Sequence, residues 1–302
     1  MKTLPAEATS FSEHRYELAR EIAEQCPGKL GQAIALTGSV ARGVADQFSD
    51  IELNFWVEEH QGLSAYRSFL RSLGAEVAIQ PEEECLSGES LMTKSWYKGV
   101  FLEAAWQPWD AFSRQLEFVL AAQTTDHWQL TKAWHVADAL ALRGDERLSS
   151  FQEQLTHYPD QLQARLVAQA TWGWGRPHWW PASIINIWPL VQRNAYLALA
   201  DDLTYEIEQM LRLLFALNRQ CEPDWKWLAP QSQRLTHKPD RLVERVNEVF
   251  CLSKPDERVR ACLQLILETL SLVPAPYDMT RQITQVREAL SPERVPFHSP
   301  AI

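Results

Sequence analysis

The chain has 302 residues, 46% of them hydrophobic, and a formal net charge of −10. That length supports two domains and a substantial core. The acidic balance argues against an extended nucleic-acid footprint, which needs basic stripes that this sequence lacks.

No stretch approaches the roughly 20 uninterrupted apolar residues of a membrane span. The first residues, M-K-T-L-P-A-E-A-T-S, carry no apolar signal core. The cysteines at 26, 85, 221, 251 and 262 form no Cys-x-x-Cys pair. The expectation is a cytoplasmic protein with reduced thiols.

Ser12 to Gln25 has helical spacing through Leu18 and Ile22 and stops at Cys26-Pro27-Gly28. Ala33 to Thr37 is a short apolar run, read as a strand, that reaches Gly38-Ser39; a short helix and a second strand through Val57 follow. Leu63 to Leu73 is helical, Ala75 to Ile79 a strand, and residues 81 to 94 an acidic loop. Trp96 to Gln107 is rich in aromatic and β-branched residues, and its one acid is Glu103. Trp109 to Gln123 is an amphipathic helix. His127 to Arg143 fits either a helix or a strand ending in a turn at Gly144. From Leu148 onward nearly every segment is helical, with prolines at 159, 181, 223, 239, 255 and 274 as punctuation. Helices are expected at Phe151–Tyr158, Gln161–Thr171, Ile184–Leu199, Leu203–Arg219, Pro239–Phe250, Glu257–Leu272 and Met279–Leu290.

The chemistry concentrates in Ala33 to Val57. Strand side chains alternate faces, so Asp50 and Glu52 point one way while Ile51, Leu53 and Phe55 enter a core. Like charges that close repel unless something positive lies between them. Carboxylates at strand spacing, with room for phosphate oxygens and water, suit Mg²⁺ better than zinc. The Gly38-Ser39 turn complements them. Glycine lets the backbone approach closely, and exposed amides, a hydroxyl and a helix N-terminus can hold phosphate. The pattern reads as a metal-dependent nucleoside triphosphate site. No G-x-x-x-x-G-K-S/T run or H-E-x-x-H motif accompanies it.

At these residues the sequence resembles the nucleotidyltransferase superfamily built on a DNA polymerase β-like palm. Its signature is Gly-Ser, about ten residues, then D-x-D or D-x-E. Here ten residues separate Ser39 from Asp50-Ile51-Glu52, with Ala41-Arg42-Gly43 and Ser49 in step. The S-D-I-E form looks like that of kanamycin nucleotidyltransferase. The resemblance implies an α+β fold. A mixed-sheet palm flanked by helices would occupy residues 1–145, and an all-helical substrate-binding bundle 146–302.

It also implies a third carboxylate on a later strand, for which Glu103 is the candidate; an edge-strand surface role is the alternative. Two Mg²⁺ would be held by Asp50, Glu52 and Glu103, and the ATP phosphates by Gly38, Ser39 and Arg42, with Arg219 a further candidate. A glutamate of the helical half would serve as general base. Glu206 is the guess, among Asp201, Asp202 and Glu208. The expected reaction is transfer of AMP from ATP to a hydroxyl of a small molecule, as in aminoglycoside and lincosamide resistance enzymes, with release of pyrophosphate. Two other readings are a protein AMP-transferase of the toxin–antitoxin type and a non-catalytic nucleotide-binding module. Trp172 to Trp180, with four tryptophans in nine residues, reads as packing, with a stacking wall as the alternative.

Overall fold

In a computed structural model, residues 3–78, 80, 86–87, 89–144, 146–171 and 187–291 are described. Pro81–Cys85, part of the expected acidic loop, and the Trp172–Trp180 cluster lie outside them. The chain divides into two compact units, Met1–His157 and Tyr158–Ile302. The first is a mixed sheet with helices, and the elements described in the second are all helices, an α+β protein.

The first unit contains α1 (Ser10–Gln25), β1 (Ala33–Thr37), α2 (Gly38–Ala41), β2 (Ile51–Val57), α3 (Leu63–Ser72) and β3 (Glu76–Val77). It continues through β4 (Leu86–Ser87), β5 (Ser90–Tyr97), β6 (Val100–Pro108), α4 (Trp109–Leu120), α5 (His127–Asp138), β7 (Leu140–Arg143) and α6 (Glu146–Gln154). The strand order is β3-β5-β6-β2-β1-β7, with β4 paired to β5. At the centre β2 runs parallel to β6, while β1 pairs antiparallel with β2 and β5 with β6.

Alternation sorts the side chains onto two faces. Ile34, Leu36, Ile51, Leu53, Phe55, Leu102, Ala104 and Trp106 meet Leu18 and Ile22 of α1 and Tyr66, Phe69 and Leu70 of α3. The Trp106 ring is sandwiched there, 4.6 Å from Phe55 and 4.3 Å from Tyr66, both stacked. Its indole N–H donates to the Leu30 carbonyl at 2.9 Å, so burial leaves no polar penalty. On the opposite face Ala33, Ala35 and Trp56 pack against Trp109 and Phe112 of α4, Val136 of α5 and Leu148 of α6. Through Leu148, α6 belongs to this unit, which runs on to His157.

Three expectations change. Residues 90–94 belong to β5 and not to a loop, because Thr93 and Ser95 face the core, fully buried, and hide the alternation. The run Trp96–Gln107 is a hairpin and not one strand. Lys98 (φ +49) and Gly99 (φ +80) form the two-residue turn between β5 and β6, the left-handed geometry that suits hairpin twist. His127–Arg143 resolves into both alternatives, a helix and then β7. Arg143 donates to the carbonyls of Ala23, Cys26 and Gly31 at 2.6–2.8 Å, and so ties β7 to the end of α1 and to the segment before β1.

The second unit contains α7 (Asp160–Thr171), α8 (Ile187–Gln192), α9 (Tyr196–Leu217), α10 (Leu228–Ser232), α11 (Leu242–Cys251), α12 (Pro255–Ser271) and α13 (Thr280–Ala289). The single helix expected from Ile184 to Leu199 is broken at Asn194 (φ +54), and α9 begins at Tyr196. Helix α9 packs on α7, α8 and α12. It buries Leu199, Leu203, Ile207, Met210, Leu211, Leu214 and Phe215, a stripe wide enough for a central helix. Glu222, 1% exposed, receives the Arg212 Nε–H on both oxygens at 3.0 and 3.1 Å.

Replacing Trp106 by Ala removes both stacked partners and leaves a large cavity. The expected loss is about 3–5 kcal/mol in chemical denaturation; a loss below about 1 kcal/mol would mean that the sandwich does not carry this core.

Candidate functional site

The face of the sheet that carries Ala33, Ala35 and Trp56 changes character along its length. Toward the end of β1 and the start of β2 it presents Thr37, Glu52 and Asn54, and on the neighbouring strands Glu103 and Lys94. Register fixes this set: Glu52 is the cross-strand partner of Thr37 on one side and of Glu103 on the other, and Lys94 is the partner of Glu103. Directly opposed residues share a face. Glu52 and Glu103 therefore stand side by side on this face, and Asp50 immediately precedes β2, half-buried.

Gly38 sets the position of Glu52. Its φ is +71, and a Cβ built there would sit 2.2 Å from Glu52 Oε1. A side chain there would press on that carboxylate, the movable end of Glu52, from a left-handed backbone position. Thr37 Oγ1 lies 3.5 Å from Glu52 Oε2, the outer limit of a hydrogen bond, and receives a bond from Asn54 Nδ2 at 3.0 Å. Ser39 is only 4% exposed, so its hydroxyl has little access to solvent. Helix α2 is four residues long, too short for a developed helix dipole.

The loop that delivers Asp50 is clamped by α1. Thr9 Oγ1 donates to the Ala45 carbonyl at 2.6 Å, and the Ala45 amide donates to Ser12 Oγ at 2.9 Å. The buried Arg15 donates to the carbonyls of Ser49 at 2.7 Å and Gln47 at 3.3 Å. Asp46 closes the loop on itself, accepting from the Phe48 amide at 2.9 Å and the Ser49 hydroxyl at 3.0 Å. Those bonds, the Phe48 amide foremost, hold its carboxyl below the usual carboxylate range, with Arg15 adding its charge. The sequence reading missed Thr9, Ser12 and Arg15. The available signal was polar residues continuing the apolar stripe of α1, since Ser12 and Arg15 fall on the helical face of Ala19 and Ile22.

Three expected residues are otherwise engaged. Arg42, a candidate phosphate contact, is turned to α5, where its guanidinium stacks 3.7 Å from the Trp134 ring centroid and lies 3.6 Å from Asp138 Oδ2. With its side chain 6% exposed, this arginine is committed to packing. Glu206 is fully buried in the core of the helical unit. Its charge and, above all, burial push the Cys262 thiol well above its ordinary value. A general base must come within hydrogen-bond reach of an acceptor hydroxyl, which a wholly enclosed carboxylate does not. Nor is Glu206 in a first helical turn, because α9 starts ten residues earlier. Arg219 pairs with Asp160 at 2.6 Å.

No family model matches the chain, and no curated protein matches it. Among solved structures it is similar to a nucleotidyltransferase-like protein from Exiguobacterium sibiricum 255-15. The identity is 12% and the TM-score 0.39, over 92% of this chain and 78% of that one.

The donor set can be tested against the two magnesium ions implied by the resemblance. Asp50 and Glu52 offer hard carboxylate oxygens, the chemistry that one such ion takes. Glu103 has a cation of the chain itself beside it. Its Oε1 lies 3.3 Å from Lys94 Nζ, and no group of three His, Cys, Asp or Glu side chains among the described residues converges as a metal site would require.

Two outcomes follow from this geometry. Gly38→Ala puts a Cβ against the Glu52 carboxylate in a left-handed backbone conformation, so the variant should lose about 1–2 kcal/mol in chemical denaturation, and an unchanged midpoint would contradict the close approach. The Asp46 clamp has a pH signature. A carboxyl whose folded value is depressed contributes stability that is complete above its unfolded value, about 3.9, and lost as pH falls through the lower folded value. The Phe48 amide proton in NMR should therefore titrate below pH about 3.9; a midpoint above it would contradict the clamp.

Proposed function

We propose that the chain is a nucleotidyltransferase that transfers AMP from ATP to a hydroxyl of a small-molecule acceptor and releases pyrophosphate. One observation carries the reading: Glu52 and Glu103 are in-register partners on adjacent parallel strands, on the face bordered by the Gly38 turn. Carboxylates converging beside a glycine bend are the equipment for positioning a polyphosphate and its cation. Asp50 and Glu52 would hold one Mg²⁺, which when bound supplies charge neutralisation on phosphate oxygens. The chain's own part is placement. Gly38 gives Glu52 its position, the Arg15 clamp holds the loop before Asp50, and Lys94 contributes a positive charge at the Glu103 edge of the face.

A second reading is a nucleotide-binding module without transfer activity. The specific observation in its favour is the Lys94–Glu103 contact, which engages the third carboxylate. Labelled ATP with Mg²⁺ and a panel of aminoglycosides, lincosamides and hydroxylated metabolites separates the two. Transfer of label, lost to background in Asp50→Ala with the fold intact, is the expected result. Nucleotide binding without pyrophosphate release across the whole panel favours the binding module, and unchanged turnover in Asp50→Ala removes the transferase proposal.

A further inference from the structure

We infer that Lys94 is a built-in counter-cation that takes the place of a second divalent ion, so that the site works with one metal ion per nucleotide. This rests on the nucleotide-site reading above and adds its metal stoichiometry.

Three observations lead to it. Lys94 and Glu103 are directly opposed on the β5–β6 hairpin, and their charged atoms are 3.3 Å apart. The hairpin turn is only two residues long, Lys98-Gly99 in left-handed geometry, which pins the register. The ammonium is therefore tethered to a backbone position facing Glu103 whatever rotamer it adopts. Third, Glu103 in turn neighbours Glu52, so Lys94 stands at the end of a row with two carboxylates.

An exposed lysine–carboxylate pair contributes little stability, and both side chains here are about a third exposed, at 38% and 31%. Its consequence is a matter of charge placement. A divalent ion binding to Glu103 would have to displace a fixed positive charge and then sit beside it, repelled at contact distance. Lysine carries three rotatable donors on a flexible stem. It can satisfy Glu103 while presenting another N–H to an oxygen of a bound phosphate, as a point charge does. What a second ion would do by bridging carboxylate and phosphate, the ammonium does in part with no coordination demand.

The test counts ions on the full-length protein. Mn²⁺ is titrated in the presence of α,β-methylene ATP, with bound ion read by electron paramagnetic resonance and analogue binding read separately by calorimetry. Wild type should bind one Mn²⁺ per chain with the analogue, and Glu103→Gln should also bind one. Lys94→Ala should bind two, and Lys94→Ala combined with Glu103→Gln should return to one. Lys94→Met, which keeps the stem, is the second variant should Lys94→Ala lose its native near-UV circular dichroism. Two ions in wild type, or one in both folded Lys94 variants, overturns the inference while leaving the nucleotide site in place. Failure of every form to bind the analogue overturns the nucleotide-site reading and this inference with it.

Discussion

The parallel pairing of β2 with β6 is the constraint on which the candidate site depends. Hydrogen bonding between these two strands brings residues 52 and 103, far apart in the chain, into lateral contact. It also commits both carboxylates to the same side of the sheet. The opposite side of the same two strands is filled by Leu53, Phe55, Leu102, Ala104 and Trp106. A slip of one residue would bury an acid and expose an aromatic ring. The core therefore enforces the polar arrangement: the apolar demand of one face holds the charged residues of the other in register.

Along that polar face, coverage decides what is chemistry and what is scaffold. Where α4, α5 and α6 lie over the sheet, the strand residues are Ala33, Ala35 and Trp56, the alanines small enough for close approach and the Trp56 ring stacked 5.6 Å from Trp109. Beyond those helices the same alternating positions become Thr37, Asn54 and Glu52. Arg42 links the two regimes. It leaves the end of α2 and lays its guanidinium on Trp134 of α5, which fastens the glycine turn to the helical cover. An arginine beside the glycine turn thus has a structural task, and its stacking on an indole is a task that lysine would not perform equally well.

Much of this was legible in the sequence. Alternation put Asp50 and Glu52 on one expected face, and the family resemblance, which asks for a third acid, led to Glu103 as the one acid of an aromatic run. The division into a sheet-containing half and a helical half followed from periodicity and proline punctuation. What stayed hidden shares a physical cause, which is polar residues standing at apolar positions. Thr93 and Ser95 fill core sites on β5 and erase its pattern, so Lys94 was assigned to a loop. Ser12 and Arg15 continue the apolar stripe of α1 without being apolar, and the sequence reading gave them no role. Glu206 was the reverse case, a charged residue enclosed among leucines, whose type suggested catalysis and whose surroundings do not permit it.

Arg15 has a consequence beyond holding a loop. Its hydrogen-bond partners are carbonyl oxygens of Phe11, Gln47 and Ser49, neutral groups that orient the positive charge, and the acid it acts on is Asp46. A permanent monopole is thereby embedded under the segment leading into Asp50, where water screens it poorly. The Asp46 carboxylate of that loop feels this charge before any ligand arrives, so the ionised form that closes the loop is favoured by the scaffold itself.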